Sequence, residues 1–229
     1  MITLEKPLDS CISSLSHKFL KWPNNFFTES DAHSFLYYYI FRSGPKDLKL
    51  FYPTNDGSKT VLIHREYPTS FRFFKESMER DDRGGRGHYD LVVLNPEFIK
   101  NHSIKQVMAK DFKECCTEEK HHLLAAAEFK LITMPLSQNM KGEIKRDFQK
   151  LNFALESGQT QLAYMIIFNR HANDLSFIND LRSYACINKN IKLIYVESVM
   201  RIPRHYYCLY TDNWSEMLKF KNIEILRLS

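Results

Sequence analysis

The reading of one stretch, "LLAAAEFKLI" at Leu123–Ile132, decides the fold. Eight of its ten residues are apolar, and the two exceptions, Glu128 and Lys130, stand two positions apart. As a strand, the segment alternates: Ala127, Phe129 and Leu131 look one way, Glu128 and Lys130 the other. A charge buried without a partner is very costly, so this pair needs each other, solvent or a metal ion.

The surrounding chain has 229 residues, 44% hydrophobic and 26% charged, ordinary for a globular protein able to bury a full core. A net charge of +5 permits a nucleic-acid partner without demonstrating one. The five cysteines include no C-x-x-C, and Cys115 and Cys116 are adjacent. That spacing suits neither a zinc framework nor a disulfide scaffold and points to a reduced, intracellular chain. The opening "MITLEKPLDSCISSLSHKFLKW" lacks the apolar core of a signal peptide, and no apolar run is long enough to cross a bilayer. The expected location is the cytoplasm, with no membrane partner.

Working outward from 123–132, the strand before it is "HYDLVVLNP" (88–96), stopped by Asn95-Pro96. Between them, 98–116 fits an amphipathic helix, so about 97–122 reads as a helical insertion. Further upstream, "TVLIHREYP" (60–68) is a strand, "LKLFYP" (48–53) a short one, 69–82 helical or irregular, and "RGGRG" (83–87) a flexible loop. A first helix covers 8–21; a second begins at Thr28, with Asp31 three residues on as in a capping box, and ends at Gly44-Pro45. Downstream, "MKGEIKRDFQKLNFALESG" (140–158) places Ile144, Phe148, Leu151 and Leu155 on one helical face, and Gly158 closes it. Then come a buried strand at 161–169, a helix at 173–188, a strand at 191–198 and another at 205–212. Strands come consecutively at first and then alternate with helices. The expectation is a single α/β domain, 1–229, with a mixed central sheet flanked by helices.

An acid-x-Lys triplet means little alone, because the chain holds five: at Asp47, Asp111, Glu118, Glu128 and Glu143. Only Glu128-x-Lys130 is embedded in a long apolar strand, and only it follows a strand with one isolated acid, Asp90. Two carboxylates on adjacent strands repel unless a cation sits between them. Oxygen ligands select a hard divalent ion, Mg²⁺ or Mn²⁺. Lys130 can neutralise the site, orient a water or contact a phosphate. That set suits metal-assisted hydrolysis of a phosphodiester. The structural alternative is a cross-strand salt bridge at a sheet edge.

Asp90 followed by Glu128-Phe129-Lys130, each on a strand, with a helix before and an amphipathic helix and strand after, resembles the PD-(D/E)XK nuclease superfamily. The resemblance covers about 28–170, leaving 171–229 as C-terminal additions. It implies a restriction endonuclease-like fold and a Mg²⁺-dependent (or Mn²⁺-dependent) endonuclease. Asp90 and Glu128 would be metal ligands, helped by the backbone carbonyl of Phe129, and Lys130 would position the attacking water. A supporting acid on the first family helix maps to Glu29, with Asp31 second; Glu66 is a further acid within reach by sequence. In the helix after the triplet, Asp147, Gln149 and Lys150 are candidates. The chain departs from the family in having Tyr89 before Asp90 and a long gap from Asp90 to Glu128.

Arg83 and Arg86 in the Gly-Arg stretch, and Lys141 and Lys145 on the 140–158 helix, are candidate phosphate contacts, with mobile loop and solvated face as their ordinary alternatives. The expected substrate is nucleic acid, DNA ahead of RNA, although the basic residues do not distinguish the two backbones. A homodimer would suit cleavage of both strands of a duplex. The other reading is a non-catalytic nucleic-acid-binding or protein-interaction module on the same fold. His64-x-Glu66 lacks the P-C-x-x-C of a deaminase, and no G-x-S-x-G is present.

Overall fold

The computed structural model describes residues 4–73, 85–108, 122–171, 177, 180, 191–199 and 202–209. Two helices open it: α1 (Glu5–Lys21) and α2 (Glu29–Ser43). The short strands β1 (Tyr52–Pro53) and β2 (Lys59–Thr60) pair as a small ribbon. The main sheet then builds from β3 (Ile63–Phe73), β4 (Gly85–Leu94), β5 (Leu123–Ile132), β6 (Thr160–Asn169), β7 (Ile191–Val199) and β8 (Ile202–Leu209). The helices α3 (Pro96–Asn101) and α4 (Ile104–Val107) follow β4, and α5 (Gln138–Glu156) joins β5 to β6.

The strand order is β3-β4-β5-β6-β7-β8. Neighbours are antiparallel except β5/β6 and β6/β7, which are parallel. The mixed α/β sheet with flanking helices expected from the sequence is therefore present. Register fixes its two faces. Phe129 pairs with Ile166, and Phe168 in the same row packs its ring 4.7 Å from Phe19 of α1. Phe129 itself lies 4.6 Å from the His33 ring of α2. So α1 and α2 cover the Phe129 face. Glu128 points the other way, to α5, whose buried stripe is Ile144, Phe148, Leu151 and Ala154.

Local chemistry sets the ends of the helices. The Asp31 carboxylate accepts the N–H groups of Phe27 and Thr28, both at 2.8 Å, and so caps α2. A Cβ at Gly44 would lie 2.5 Å from the Ile40 carbonyl oxygen, so glycine closes that helix. Ser137 Oγ accepts the Met140 N–H at 3.2 Å at the start of α5, and Gly158 follows its end at φ 71°.

Several expectations change. β3 runs through Pro68 to Phe73, because it is the edge strand of its sheet, where a residue without an N–H is tolerated. Gly85, Arg86 and Gly87, read as loop, belong to β4, with Arg86 paired to Arg72. The single helix expected over 98–116 breaks at His102, where Ser103 starts α4 by accepting the Gln106 N–H; 109–121 lie outside the described residues. Asp47 and Lys49 sit in a 3-10 turn, Lys46–Lys49, and not in a strand. The helix expected at 173–188 falls almost wholly outside the described residues. The strand expected at 205–212 begins earlier, at Ile202, and is described to Leu209. β7 and β8 extend the central sheet, so the core does not stop at residue 170.

Candidate active site

The site begins where one ladder stops. The β4/β5 pairing runs through Val93↔Ala125 and Val92↔Ala126 to Leu91↔Ala127 and goes no further. One more step would set Asp90 beside Glu128. Beyond Ala127 the N–H groups of Phe129 and Leu131 face the β4 side with no strand among the described residues to meet them. Buried backbone donors must be satisfied, and here carboxylates do it. Asp90 Oδ2 accepts the Phe129 N–H at 2.6 Å, and Glu29 Oε1 accepts the Leu131 N–H at 3.4 Å. A strand residue's N–H and C=O point to the same edge, so the Phe129 carbonyl faces this gap as well.

The sheet is distorted on the other flank of Asp90 too. Glu66 has φ 50° and falls between the pairs Arg65↔Leu91 and Tyr67↔Tyr89, level with Asp90. A left-handed backbone is uncommon for glutamate and costs free energy. Its side chain is exposed and does not join the charged cluster, which corrects its assignment as a supporting acid.

Two ammonium groups hold the cluster. Lys130 Nζ lies 3.0 Å from Asp147 Oδ2 and 3.6 Å from Glu29 Oε1. Lys150 Nζ lies 2.7 Å from Glu128 Oε1 and 3.2 Å from Asp147 Oδ1, and it donates to the His88 carbonyl at 2.7 Å. Three carboxylates, Glu29, Glu128 and Asp147, therefore pair with two ammonium groups, and Asp90 is a fourth acid on which Lys130 acts at longer range.

The electrostatics follow from that imbalance and from burial. Burial drives the Glu128 carboxyl well above its usual range; Lys150 opposes the shift, while Asp147 and Asp90 add to it. Glu29 is raised by burial against the pull of Lys130, with Asp90 again pushing up. Burial also works on Asp90, but the His33 ring and the Phe129 N–H outweigh it and hold the carboxyl low. For Lys130, burial opposes the charge, and Asp147 and Glu29 overcome it, holding the amine above the usual lysine range. Lys150 is raised by Glu128 and Asp147 against the same penalty.

Among the described residues no group of three or more His, Cys, Asp or Glu side chains is arranged to hold a metal ion. The donors still suit a hard divalent cation in two respects. They are oxygen atoms, and the ionised cluster carries two more negative charges than positive ones, which a cation would offset. Lys150 now supplies the charge next to Glu128.

The structure thus brings together Asp90, Glu128, Lys130, Glu29, Asp147 and Lys150. It does not bring in Asp31, whose carboxylate is spent on capping α2. Gln149 is half-buried and is not among the partners of the charged groups. Lys150, a candidate from the helix after the triplet, is 8% exposed and belongs to the cluster. Lys145 is exposed, and Lys141 Nζ lies 5.9 Å from the Phe177 ring. Arg83 and the side chain of Arg86 lie outside the described residues.

Sequence reasoning missed His33 and Arg65. The buried His33 places Nε2 3.7 Å from Asp90 Oδ2, and its Nδ1 is 3.3 Å from Arg65 Nη2. The available signal was a histidine on an otherwise aromatic and apolar helix, five residues beyond its cap. Comparison with protein-family models, curated proteins and solved structures finds no match to this chain.

Proposed function

We propose that the chain is a metal-dependent nuclease of restriction endonuclease-like fold that hydrolyses phosphodiester bonds, in DNA ahead of RNA. One observation carries the reading. The edge of β5 beyond Ala127 is bonded by the carboxylates of Asp90 and Glu29, next to Glu128 and Lys130 of the same strand. A sheet-edge salt bridge does not need acids from two other elements on consecutive free N–H groups. The order α2, β3, β4, β5, α5, β6 around these residues supports the same reading.

Asp90, Glu128 and the Phe129 carbonyl would hold Mg²⁺ or Mn²⁺. The bound ion would supply positive charge at the phosphate and make a bound water more acidic. Lys130 keeps its proton here, so it acts as a donor that orients the water or neutralises the phosphate, not as the base that activates the water. Glu29 and Asp147 fix its ammonium group.

The test incubates purified protein with plasmid, single-stranded DNA and RNA in Mg²⁺ or Mn²⁺, beside Lys130→Ala and Asp90→Asn. Wild-type cleavage with loss in both variants is expected. Equal cleavage by all three proteins would sink the site assignment. The second reading, a binding module, is favoured by the Lys150 ammonium seated on Glu128. Binding without cleavage of any substrate would select it.

A further inference from the structure

We propose that His33 is a positioning residue for Asp90, its Nε2–H fixing one carboxylate oxygen so that the other is presented to the cation. The inference rests on the metal reading above. It starts from a chemical asymmetry around the ring. A guanidinium group only donates hydrogen bonds. Arg65 Nη2 lies 3.3 Å from His33 Nδ1, so Nδ1 is the acceptor and the ring proton resides on Nε2. Arg65 is itself held by Ser34 Oγ at 3.4 Å and Ser30 Oγ at 3.3 Å, one helical turn apart on α2.

That leaves Nε2–H. It is buried and has no hydrogen-bond partner among the described residues. The acidic oxygen beside it is Asp90 Oδ2, at 3.7 Å, just beyond hydrogen-bond length. A buried donor without a partner is costly, and a phenylalanine or leucine would pack on Phe129 without that cost. The N–H therefore has a use, and the Asp90 carboxylate is the acid that the structure sets beside it. Oδ2 already takes the Phe129 N–H at 2.6 Å. Closing that short gap would give Oδ2 a second donor, from α2, and leave Oδ1 as the ligand atom. Partners of this kind, one bond removed from a metal, set carboxylate orientation and metal affinity.

The test has two arms on the full chain. Long-range ¹⁵N–¹H correlation of the histidine rings, assigned with His33→Gln, reads the tautomer. His33 is expected protonated on Nε2, and Arg65→Met is expected to change that pattern. Mn²⁺ titration then compares wild type, His33→Ala and His33→Gln, whose amide N–H can take the place of Nε2–H. Loss of Mn²⁺ affinity by about 10- to 100-fold in His33→Ala, with most of it restored in His33→Gln, is the expected result. A ring protonated on Nδ1, or a His33→Ala protein that binds Mn²⁺ like wild type, overturns the proposal alone. Wild-type protein that takes up no Mn²⁺ overturns the metal reading and, with it, the role given to His33.

Discussion

Lys150→Met tests whether the cluster is held by buried charge. The Lys150 ammonium lies 2.7 Å from Glu128 Oε1 and 3.2 Å from Asp147 Oδ1. At an effective dielectric of about 20, unit charges at the first distance attract by roughly 6 kcal/mol. Much of that is offset by the cost of burying both groups. Removing one partner leaves Glu128, only 1% exposed, without its nearest cation. Breaking such a pair costs about 3–5 kcal/mol. Glu128 can relieve part of the loss by taking a proton, since burial already raises its carboxyl and the missing ammonium raises it further. The sign follows. A carboxyl raised in the folded state binds its proton more tightly there than in the unfolded chain. Its stabilising contribution is complete below the unfolded value and is lost as pH rises through the folded one. The variant should therefore lose more stability near pH ~8 than near pH ~5, measured by urea unfolding followed by circular dichroism. Adding Glu128→Gln should recover at least half of the loss, because it removes the stranded charge. A single variant within about 1 kcal/mol of wild type at the higher pH would refute the reasoning. So would a double variant no more stable than the single.

Two further expectations follow from charges that the structure places elsewhere. Asp31→Ala should destabilise the protein by about 1 kcal/mol through loss of the α2 cap and leave cleavage unchanged; a drop in cleavage without a drop in stability would return Asp31 to the site. Asp9 is buried against the Tyr164 hydroxyl at 3.0 Å and Lys192 Nζ at 3.0 Å, and burial pushes its carboxyl up to about 6, with Lys192 opposing. Its contribution to stability is thus complete in acid and lost as pH rises through about 6. Thermal melts across that window should fall less steeply with pH in Asp9→Asn, and parallel profiles would show that Asp9 is not shifted.

The sheet was legible wherever a strand is buried on both faces. The runs at 123–132, 161–169 and 191–198 are mostly apolar, and each became a strand with boundaries moved by a residue or two. The edge was not legible. Gly85, Arg86 and Gly87 have poor strand character of their own and are extended because β3 pairs with them. Pro68 reads as a stop in isolation, and only the position of β3 at the sheet margin makes it harmless. The break in the 98–116 helix depends on Ser103 capping a new turn, a local competitor that hydrophobic periodicity does not report.

The same division runs through the site. Glu128 and Lys130 stood out because an apolar strand cannot hold two charges for nothing, whereas Glu143 and Lys145 spell the same triplet on α5 and are both exposed. Asp147 and Lys150 could be named as candidates, but their roles could not. Three residues apart on a helix is a spacing that a solvated face carries equally well, and only the pairing of Lys150 with a buried Glu128 sets them in the cluster. His33 depends on Arg65, 32 residues away on another element, and no local pattern encodes that meeting. What joins these residues is the end of the β4/β5 ladder. Two backbone N–H groups lose their strand there, carboxylates from β4 and α2 arrive to take them, and the lysines follow to balance those carboxylates. A ladder continued past Leu91↔Ala127 as far as Phe129 and Leu131 would bond both N–H groups to β4 and leave Asp90 and Glu29 without those donors to meet. The truncated ladder, more than the acid-x-Lys spelling, is therefore what makes this strand a candidate site.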